Sequence, residues 1–393
     1  MRLDKLFLVN FKNYNRCSFS FCPGLNFIFG DNGNGKTNIL ESISFLSYTK
    51  SFLQNSESDC LKHGEKAFEI KGSFVNELDT EFRMEAVYDP ENSGKTFYLN
   101  NGKMSRLNDI LGIFPLVTLS PYDLKLTTGP PFERRRNFDL LISQTSRIYL
   151  EDIKNLSRII KQKNFLLKEN LIFKKHSSAD LKQMVSIWNE ELLNTGIKVM
   201  IRRLDFIDNF RILLKSSLNE LVGDKYNPLI ELESDLLSGI RENPDIDHIS
   251  DVFRKDIENK YELEAKRGIS LTGPQRDNYI FKMKKGSDIF DVRTFASQGE
   301  HKMFIIALKL AEFKYIRQFG ETSSKGDPIF LLDDVFSELD KKKVDMLCEI
   351  LPGYNQLFIT TTEQEYGKKL INYFSGNNLR SFEILNGSVI NDN

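Results

Sequence analysis

The chain has 393 residues and a formal net charge of −1, because 54 lysines and arginines nearly balance 55 aspartates and glutamates. A hydrophobic content of 40% and a mean hydropathy of −0.36 suit a globular protein with a sizeable core, and no apolar run approaches the roughly 20 residues that cross a bilayer. Any anionic partner must therefore be held by local basic patches. The start Met1–Lys5 lacks the features of a signal peptide, which favours the cytoplasm. The cysteines and histidines are scattered and show no metal-binding spacing.

The first strongly patterned segment is Gly30–Thr37, which fits G-x-x-x-x-G-K-[ST] without a gap. Strand-like runs at 3–9, 16–21 and 25–29 precede this segment, and a helix begins at Asn38. A strand, a glycine-rich loop and a helix in this order predict a loop whose backbone N–H groups and helix N-terminus hold a nucleoside triphosphate.

Within this loop, each side chain has a predicted role. Lys36 is expected to reach the β- and γ-phosphates, and the hydroxyl of Thr37 is expected to ligate Mg²⁺. The alternative is a glycine-rich turn that binds nothing, but the flanking strand and helix favour the phosphate loop. The predicted nucleotide-binding residues are Gly30, Asp31, Asn32, Gly33, Asn34, Gly35, Lys36, Thr37 and Asn38.

The next region, 67–100, alternates apolar and polar residues between turns at Asp89-Pro90 and Asn101-Gly102, a pattern that predicts an antiparallel meander. A buried strand is predicted at 116–119. The segment 137–222 has a helical pattern, because it contains a single glycine and no proline and its apolar residues recur at helical spacing.

A polar break at 176–180 divides this region into two long helical stretches and predicts an antiparallel helical hairpin, followed by another helix at about 247–267. Residues 151–175 carry seven bases and three acids, a local net charge of +4. This stripe suits sequence-independent contacts with DNA phosphates, although a solvated helix face fits equally well. The candidate DNA-binding residues are Arg134, Arg135, Arg136, Lys161, Lys163 and Lys168.

The C-terminal third supplies a second set of candidate site residues. The apolar run 329–332 ends in Asp333 and Asp334, at the carboxyl end of a predicted strand, where open α/β sheets bind ligands. Asp333 is suited to hold Mg²⁺, and Asp334 is suited to act as general base toward the attacking water. A helix at 338–351 and a strand at 356–360 are predicted to follow.

Another helix is predicted to begin after Ser297-Gln298-Gly299-Glu300. Ser297 and Glu300 fit a capping box, and the same helix N-terminus is suited to hold a phosphate. The two ends of the chain are thus predicted to form one α/β nucleotide-binding domain from 1–136 and 268–393, with 137–267 as a helical insertion.

These motifs together resemble an ABC-type ATPase head, with Walker A at 30–37, the signature at 297–300, Walker B ending at Asp333-Asp334, and the D-loop at 337–340. More narrowly, the chain resembles the RecF family over nearly its whole length. The blocks that carry this resemblance are Asn10–Tyr14, Gly33–Glu41, Ser120–Leu124, Gly129–Arg136 with Asp139, and Thr272–Asp277.

The resemblance implies an ABC-type P-loop ATPase head with an antiparallel strand subdomain and an inserted helical hairpin domain. It implies that ATP joins two subunits, because Ser297 and the Gly299 N–H of one subunit meet the γ-phosphate bound by the other, with Asp340 at the same interface. Lys36, Ser297 and Asp334 are then the catalytic residues. Asp334 stands where many ABC heads have glutamate, so slow hydrolysis is expected.

The implied function is a switch in recombinational repair and replication-fork recovery. The family resemblance implies that the dimer recognises gapped duplex and single-strand/double-strand junctions and, with RecR and RecO, promotes RecA loading. Three positions depart from the family pattern: Leu53 follows Ser51-Phe52 where a basic residue is usual, Gln275 replaces histidine, and Glu300 replaces glutamine.

Three other functions remain open at this point. A transporter nucleotide-binding subunit is disfavoured, because Thr360–Thr362 lacks the switch histidine and no Q-loop glutamine is evident near Ser120–Asp123. A condensin- or Rad50-like head is disfavoured because the helical hairpin is far too short. A scaffold that binds ATP without hydrolysing it is compatible with Asp334.

Overall fold

The structure is a computed structural model that describes residues 1–237, 246–320, 327–374 and 378–392. Its strands are β1 Arg2–Phe11, β2 Tyr14–Ser20, β3 Leu25–Phe29, β4 Phe68–Val75, β5 Glu81–Asp89, β6 Gly94–Leu99, β7 Gly102–Lys103, β8 Leu116–Leu119, β9 Asn227–Glu233, β10 Asn278–Lys285, β11 Asp288–Asp291, β12 Ile329–Asp333, β13 Gln356–Thr361, β14 Leu379–Leu385 and β15 Ser388–Asp392. Its helices are α1 Lys36–Tyr48, α2 Glu57–Cys60, α3 Lys125–Thr128, α4 Pro131–Thr145, α5 Arg147–Phe173, α6 Ser178–Val222, α7 Ile246–Arg267, α8 Val292–Phe295, α9 Gln298–Phe319, α10 Lys341–Ile350 and α11 Glu365–Ile371. None of these helices is both long and apolar enough to span a bilayer.

The chain divides into two compact units whose bounds differ from the predicted boundaries at 137 and 268. The first unit combines both ends of the chain with a central segment, and the second is formed by the remaining residues. The second unit is larger than the predicted insertion because β10 and β11, which follow residue 268, form a sheet of order β11-β10-β9 rather than pairing with strands of the first unit. The first unit comprises Met1–Thr127, Leu213–Asn227 and Ala296–Asn393, and the second comprises Thr128–Ile212 and Pro228–Phe295.

A mixed sheet in the first unit has the order β15-β14-β3-β13-β12-β8, and its strands are parallel except for β15. The strands β3, β13 and β12 are fully buried, as expected when both faces of a parallel sheet are covered. Asp333 of β12 lies opposite Thr360 of β13, and Thr360 lies opposite Ile28 of β3, so the carboxyl ends of these three neighbouring strands are level. Side chains that follow these strands are therefore brought to one edge.

An antiparallel sheet of order β2-β1-β4-β5-β6-β7 completes the sheets of the first unit and confirms the predicted meander. Its buried face packs on α1 through aromatic rings: Phe45 of the helix lies 5.4 Å from Phe68 and 5.9 Å from Phe97 between ring centroids. Aromatic pairs stabilise a fold by more than the burial of their apolar area alone provides. The core between this sheet and α1 thereby fixes the helix that begins at the phosphate loop.

The second unit contains the predicted helical hairpin. Leu166 and Leu167 of α5 share a buried cluster with Leu181 and Val185 of α6 and with a tyrosine of α7. Arg158, nearer the start of α5, pairs with Glu191, farther along α6. Contacts that run in opposite directions along the two helices confirm their antiparallel arrangement. The helix predicted at 247–267 is observed as α7.

A buried ionic cluster gives a structural role to two family blocks of the sequence, the one that includes Asp139 and the one that ends in Asp277. The guanidinium of Arg203 is 1% exposed and donates to both carboxylate oxygens of Asp139 at 2.9 and 3.0 Å and to Asp277 at 2.7 Å. It also donates to the hydroxyl of Tyr149 and to the carbonyl of Pro274. A charge this deeply buried requires such partners, because an uncompensated ion costs several kcal/mol. The blocks around Asp139 and Asp277 therefore stabilise the fold of the second unit.

Candidate functional site

The loop Gly30–Thr37 connects β3 to α1, as predicted. Three of its glycines, Gly30, Gly33 and Gly35, have φ angles of 146°, 82° and 106°, which side-chain-bearing residues rarely adopt. This backbone carries the chain from the strand into the first turn of α1. Residues 31–33 are exposed, whereas the side chains of Asn34 and Lys36 are buried against the body of the unit.

The ammonium group of Lys36 lies over the loop and donates to the carbonyl oxygens of Gly30 and Asp31, each at 2.8 Å. Burial lowers the pKa of Lys36, and the carboxylates of Asp333, Asp334 and Asp31 oppose this effect. The lysine is thus the positive charge at the centre of the loop, close to three negative side chains.

Asp333 joins the phosphate loop to the ends of the central strands. One carboxylate oxygen accepts hydrogen bonds from the hydroxyl of Thr37 at 2.8 Å and from the hydroxyl of Thr360 at 2.6 Å. Burial raises the pKa of Asp333, the two hydroxyl donors oppose this effect, and the neighbouring carboxylates of Asp334 and Glu41 add to it. Thr360 is not among the predicted site residues, although its position near the end of a buried strand parallel to β12 is a usable signal.

The residue after Asp333 turns sharply out of the strand. Asp334 has a φ of 50°, and its N–H donates to the carbonyl and hydroxyl oxygens of Thr360, both at 3.1 Å. Aspartate tolerates this left-handed conformation better than most residues, but the conformation is still sparsely populated and carries strain. The carboxylate of Asp334 is therefore presented from a fixed turn beside Lys36.

The segment 334–340, which ends in the predicted D-loop 337–340, is held by a lysine of α9. The ammonium group of Lys302 donates to the carbonyl oxygen of Ser337 and, at 3.2 Å, to its hydroxyl, and this hydroxyl donates to the carbonyl of Asp334 at 2.9 Å. At the end of the segment, Asp340 caps α10 by accepting from the backbone N–H of Lys343. The helix α9 and the predicted D-loop are thus joined within one chain.

The donor set around the phosphate loop fits Mg²⁺. The described residues contain no group of three or more histidine, cysteine, aspartate or glutamate side chains that could hold a metal by themselves. Magnesium in phosphate sites instead takes one or two protein oxygens together with phosphate oxygens, and the adjacent Thr37 hydroxyl and Asp333 carboxylate supply such a pair. Because three carboxylates face one lysine, a triphosphate also needs a divalent cation to offset the repulsion.

The predicted signature turn forms the N-terminus of α9. Ser297 and Glu300 form a reciprocal capping box, so the predicted helix cap is confirmed. The remaining carboxylate oxygen of Glu300 accepts a hydrogen bond from the hydroxyl of Tyr226 at 2.6 Å. Burial, together with this hydrogen bond, raises the pKa of Tyr226 to about 12. A Cβ atom on Gly299 would lie 3.2 Å from the ammonium of Lys343, so glycine leaves room for a cation at this turn.

The structure changes the list of candidate DNA-binding residues. Lys163 is fully buried and pairs with Glu264 at 2.7 Å, so it cannot reach DNA. Arg134 is 3% exposed and donates to Asn278 and to a backbone carbonyl, and Arg135 donates to the carbonyl of Asp277. Both arginines hold the second unit together internally, because the basic run lies on a helix that packs on β10.

Two lysines of α5 keep the exposure that the DNA prediction requires. Lys161 and Lys168 are exposed, as is Lys174 just after the helix. Arg158 and Lys175 are also exposed but pair with glutamates, as does the less exposed Lys154. Arg136 is half-buried, and burial lowers its pKa. The exposed part of the basic stripe is therefore smaller than its sequence indicates.

The chain is similar to proteins of DNA replication and repair over most of its length. A family model described as the RecF/RecN/SMC N-terminal domain matches residues 2–378. The chain is 36% identical over 367 residues to the DNA replication and repair protein RecF of Chloroherpeton thalassium, covering 93% of this chain and 96% of that protein. It is 33% identical over 389 residues to RecF of Streptococcus gordonii, covering 99% and 100% respectively.

Solved structures agree with this similarity. The recombination mediator protein RecF of the RecFOR pathway, solved with ATP, matches with a TM-score of 0.84 and 27% identity over 100% of this chain and 97% of that chain. An Smc head bound to the C-terminal winged-helix domain of ScpA shares the fold, with a TM-score of 0.53 and 18% identity over 99% and 96%. The predicted ABC-type ATPase fold is confirmed.

The buried carboxylate of Asp333 leads to a prediction about stability. In the nucleotide-free protein, Asp333→Asn should raise the free energy of unfolding at neutral pH by roughly 0.5–2 kcal/mol, because the amide oxygen still accepts hydrogen bonds and carries no charge. A raised native pKa favours the protonated acid, so the native state loses stability as the pH rises through that pKa. The difference in the free energy of unfolding between Asp333→Asn and wild type should therefore become smaller as the pH falls toward the unfolded-state pKa of about 4.

Urea unfolding at several pH values measures this difference. Asp208→Asn is the control, because the side chain of Asp208 is 69% exposed, and its effect should stay within about 0.5 kcal/mol. A variant that is less stable than wild type at neutral pH would show that the Asp333 carboxylate stabilises the nucleotide-free fold.

Proposed function

The chain belongs to the RecF family of DNA replication and repair proteins, and we propose that it is an ATP-dependent DNA-binding switch of recombinational repair. The observation that carries this proposal is the joining of the phosphate loop to β12 through the Thr37–Asp333 hydrogen bond. This contact brings the two halves of a nucleotide site together from opposite ends of the chain. ATP as the nucleotide is supported by the RecF structure solved with ATP.

In the proposed site, the N–H groups of the loop 30–38 surround the phosphate chain. Lys36 exchanges its loop carbonyl partners for the β- and γ-phosphates, and the N-terminus of α1 adds its partial positive charge. Thr37 and Asp333 hold Mg²⁺, which supplies positive charge against the phosphate oxygens when bound. Thr360 orients the Asp333 carboxylate through its 2.6 Å hydrogen bond.

Asp334 is the proposed general base for ATP hydrolysis. Its left-handed turn holds the carboxylate next to Lys36, and an ionised carboxylate can take a proton from an attacking water. The aspartate side chain is one methylene shorter than glutamate, so we infer slow turnover. A slow ATPase keeps the ATP-bound state long enough to act as a switch. A protein that binds ATP without hydrolysing it is the alternative.

ATP is proposed to join two copies of the chain. Ser297 and the N–H of Gly299 in one subunit meet the γ-phosphate held by Lys36 of the other, and Asp340 lies at the same interface. The capping box and the Tyr226–Glu300 hydrogen bond support this role, because they fix the signature turn before any phosphate arrives.

The ATP-bound dimer is proposed to bind gapped duplex and single-strand/double-strand junctions in the cytoplasm and, with RecR and RecO, to promote RecA loading. The RecFOR pathway to which the solved relative belongs supports these partners. On this chain, the proposed phosphate contacts are Lys161 and Lys168, with Arg136 as a partly buried third. Such contacts read charge rather than sequence.

The signature turn is tested by Ser297→Arg. The arginine side chain should occupy the space that the partner's γ-phosphate needs, so the variant should bind ATP normally but form no ATP-dependent dimer. Lys36→Ala should instead lose ATP binding, because the phosphates lose their cation. Equilibrium binding of a labelled ATP analogue and light scattering with ATP separate the two defects.

The matched control for this test is Ser56→Arg. Ser56 is also the exposed N-cap of a capping box, at α2, so this variant loses a helix cap without altering the signature turn. Normal dimerisation of Ser297→Arg would reduce Ser297 to a helix cap. A dimerisation defect shared by Ser56→Arg would point to general destabilisation.

The DNA contacts are tested by the dependence of affinity on salt. The slope of log affinity against log salt should be steeper with ATP, by about 0.9 for each additional duplex phosphate neutralised, if the dimer presents two basic surfaces. Lys161→Glu with Lys168→Glu should flatten that slope without altering ATP affinity. Lys255→Glu with Lys266→Glu, the same charge change at exposed positions of α7, is the control.

Titrations on gapped duplex at several salt concentrations, with and without ATP, give these slopes. Equal slopes in the two nucleotide states would contradict the coupling of DNA binding to dimerisation. An unchanged slope in the α5 double variant would assign Lys161 and Lys168 to a solvated helix face.

A further inference from the structure

The turn between β14 and β15 contacts the outer side of the phosphate loop. The N–H of Gly387 donates to the carbonyl oxygen of Asn34 at 3.0 Å, and the N–H of Asn386 donates to the side-chain oxygen of Asn34 at 3.4 Å. Asn34 is 7% exposed at this contact. The family model ends at residue 378, so this turn lies outside the segment that it matches.

Asn13, in the turn between β1 and β2, contacts the same loop. Its side-chain amide donates to the Asn34 carbonyl at 2.9 Å, and its side-chain oxygen accepts from Asn38 at 2.7 Å. The Asn34 carbonyl therefore accepts two hydrogen bonds, one from the C-terminal turn and one from the N-terminal turn. Both of its lone pairs are directed away from the loop interior.

The fit between these segments depends on glycine at the points of contact. A Cβ atom on Gly387, whose φ is 72°, would lie 2.6 Å from the carbonyl oxygen of Asn13. A Cβ atom on Gly30 would lie 2.4 Å from the carbonyl oxygen of Ile384 in β14. A Cβ atom does not approach a carbonyl oxygen this closely, so the C-terminal hairpin lies nearer to Asn13 and to the phosphate loop than a residue with a side chain would allow.

We infer that Asn13 and the turn Asn386–Gly387 are positioning residues for nucleotide binding. A trans peptide is planar, so its N–H points opposite to its C=O. Because outside donors hold the Asn34 carbonyl, the N–H of Gly35 is turned the other way, into the loop. The hydroxyl of Tyr14 holds the Gly35 carbonyl at 3.1 Å and turns the Lys36 N–H in the same manner.

Two successive N–H groups are thus oriented toward the phosphates before the nucleotide binds. Donors fixed in advance cost no reorganisation when the anion arrives, and their loss weakens binding without removing the lysine or the metal ligands. This inference rests on the proposed nucleotide site. It assigns part of the affinity for ATP to a turn in the last residues of the chain.

The test uses Asn13→Ala, which removes a donor, and Gly387→Ala, which introduces the clash. Each should weaken binding of a labelled ATP analogue roughly 3- to 10-fold, the effect of losing one or two hydrogen bonds. Each should also speed amide exchange of residues 30–38 in the nucleotide-free protein. Gly286→Ala is the control, because Gly286 has a similar φ of 62° in the β10–β11 turn but open space around it.

Weaker binding and faster exchange in both variants, with neither change in Gly286→Ala, would support the inference. Wild-type affinity together with wild-type exchange in Asn13→Ala and Gly387→Ala would overturn it. If the wild-type chain binds no ATP analogue, the proposed function fails instead. In that case the positioning role for nucleotide binding falls with the proposed function, whatever the exchange rates of the loop.

Discussion

The hydrogen bonds that Asp333 accepts from Thr37 and Thr360 join three segments that are far apart in the sequence. They form because β3, β13 and β12 are adjacent and in register, with their carboxyl ends level. Every role proposed for the site depends on this joint. Without it, the phosphate loop and the pair Asp333-Asp334 would be two unrelated loop segments.

The hydrogen bonds from Thr37 and Thr360 to Asp333 hold charged groups close together, where they oppose folding of the free protein and favour binding of a cation. Asp333 is a buried carboxylate with a raised pKa, and Asp334 is held in a sparsely populated backbone conformation. The carboxylates of Asp31, Asp333 and Asp334 outnumber the ammonium of Lys36. The Mg²⁺ ion proposed at Thr37 and Asp333 would offset this imbalance, and the phosphates would then pair with the ammonium of Lys36. The strain in the free protein and the affinity for the ligand therefore have the same physical origin.

Sequence patterns predicted the parts of the molecule that local chemistry determines. The glycine spacing of Gly30–Thr37, the apolar strand before Asp333 and the Ser297 capping box are local features, and the structure contains them at the predicted positions. Thr360 and the turn Asn386–Gly387 were not assigned to the site, because their roles depend on strand order and register, which no local pattern specifies. Lys163 was misassigned for the same reason, since a count of charges cannot reveal that Glu264 on another helix pairs with it in the core.

The central claim is that each nucleotide is bound between the phosphate loop of one subunit and the signature turn of another. The most direct measurement mixes Lys36→Ala and Ser297→Arg, each carrying a different fluorophore, and follows energy transfer on addition of ATP. Neither variant alone should associate. The mixture should, because Lys36→Ala supplies an intact signature turn to the ATP held by Ser297→Arg. A mixture that stays unassociated, or Ser297→Arg that associates with itself, would contradict the composite site.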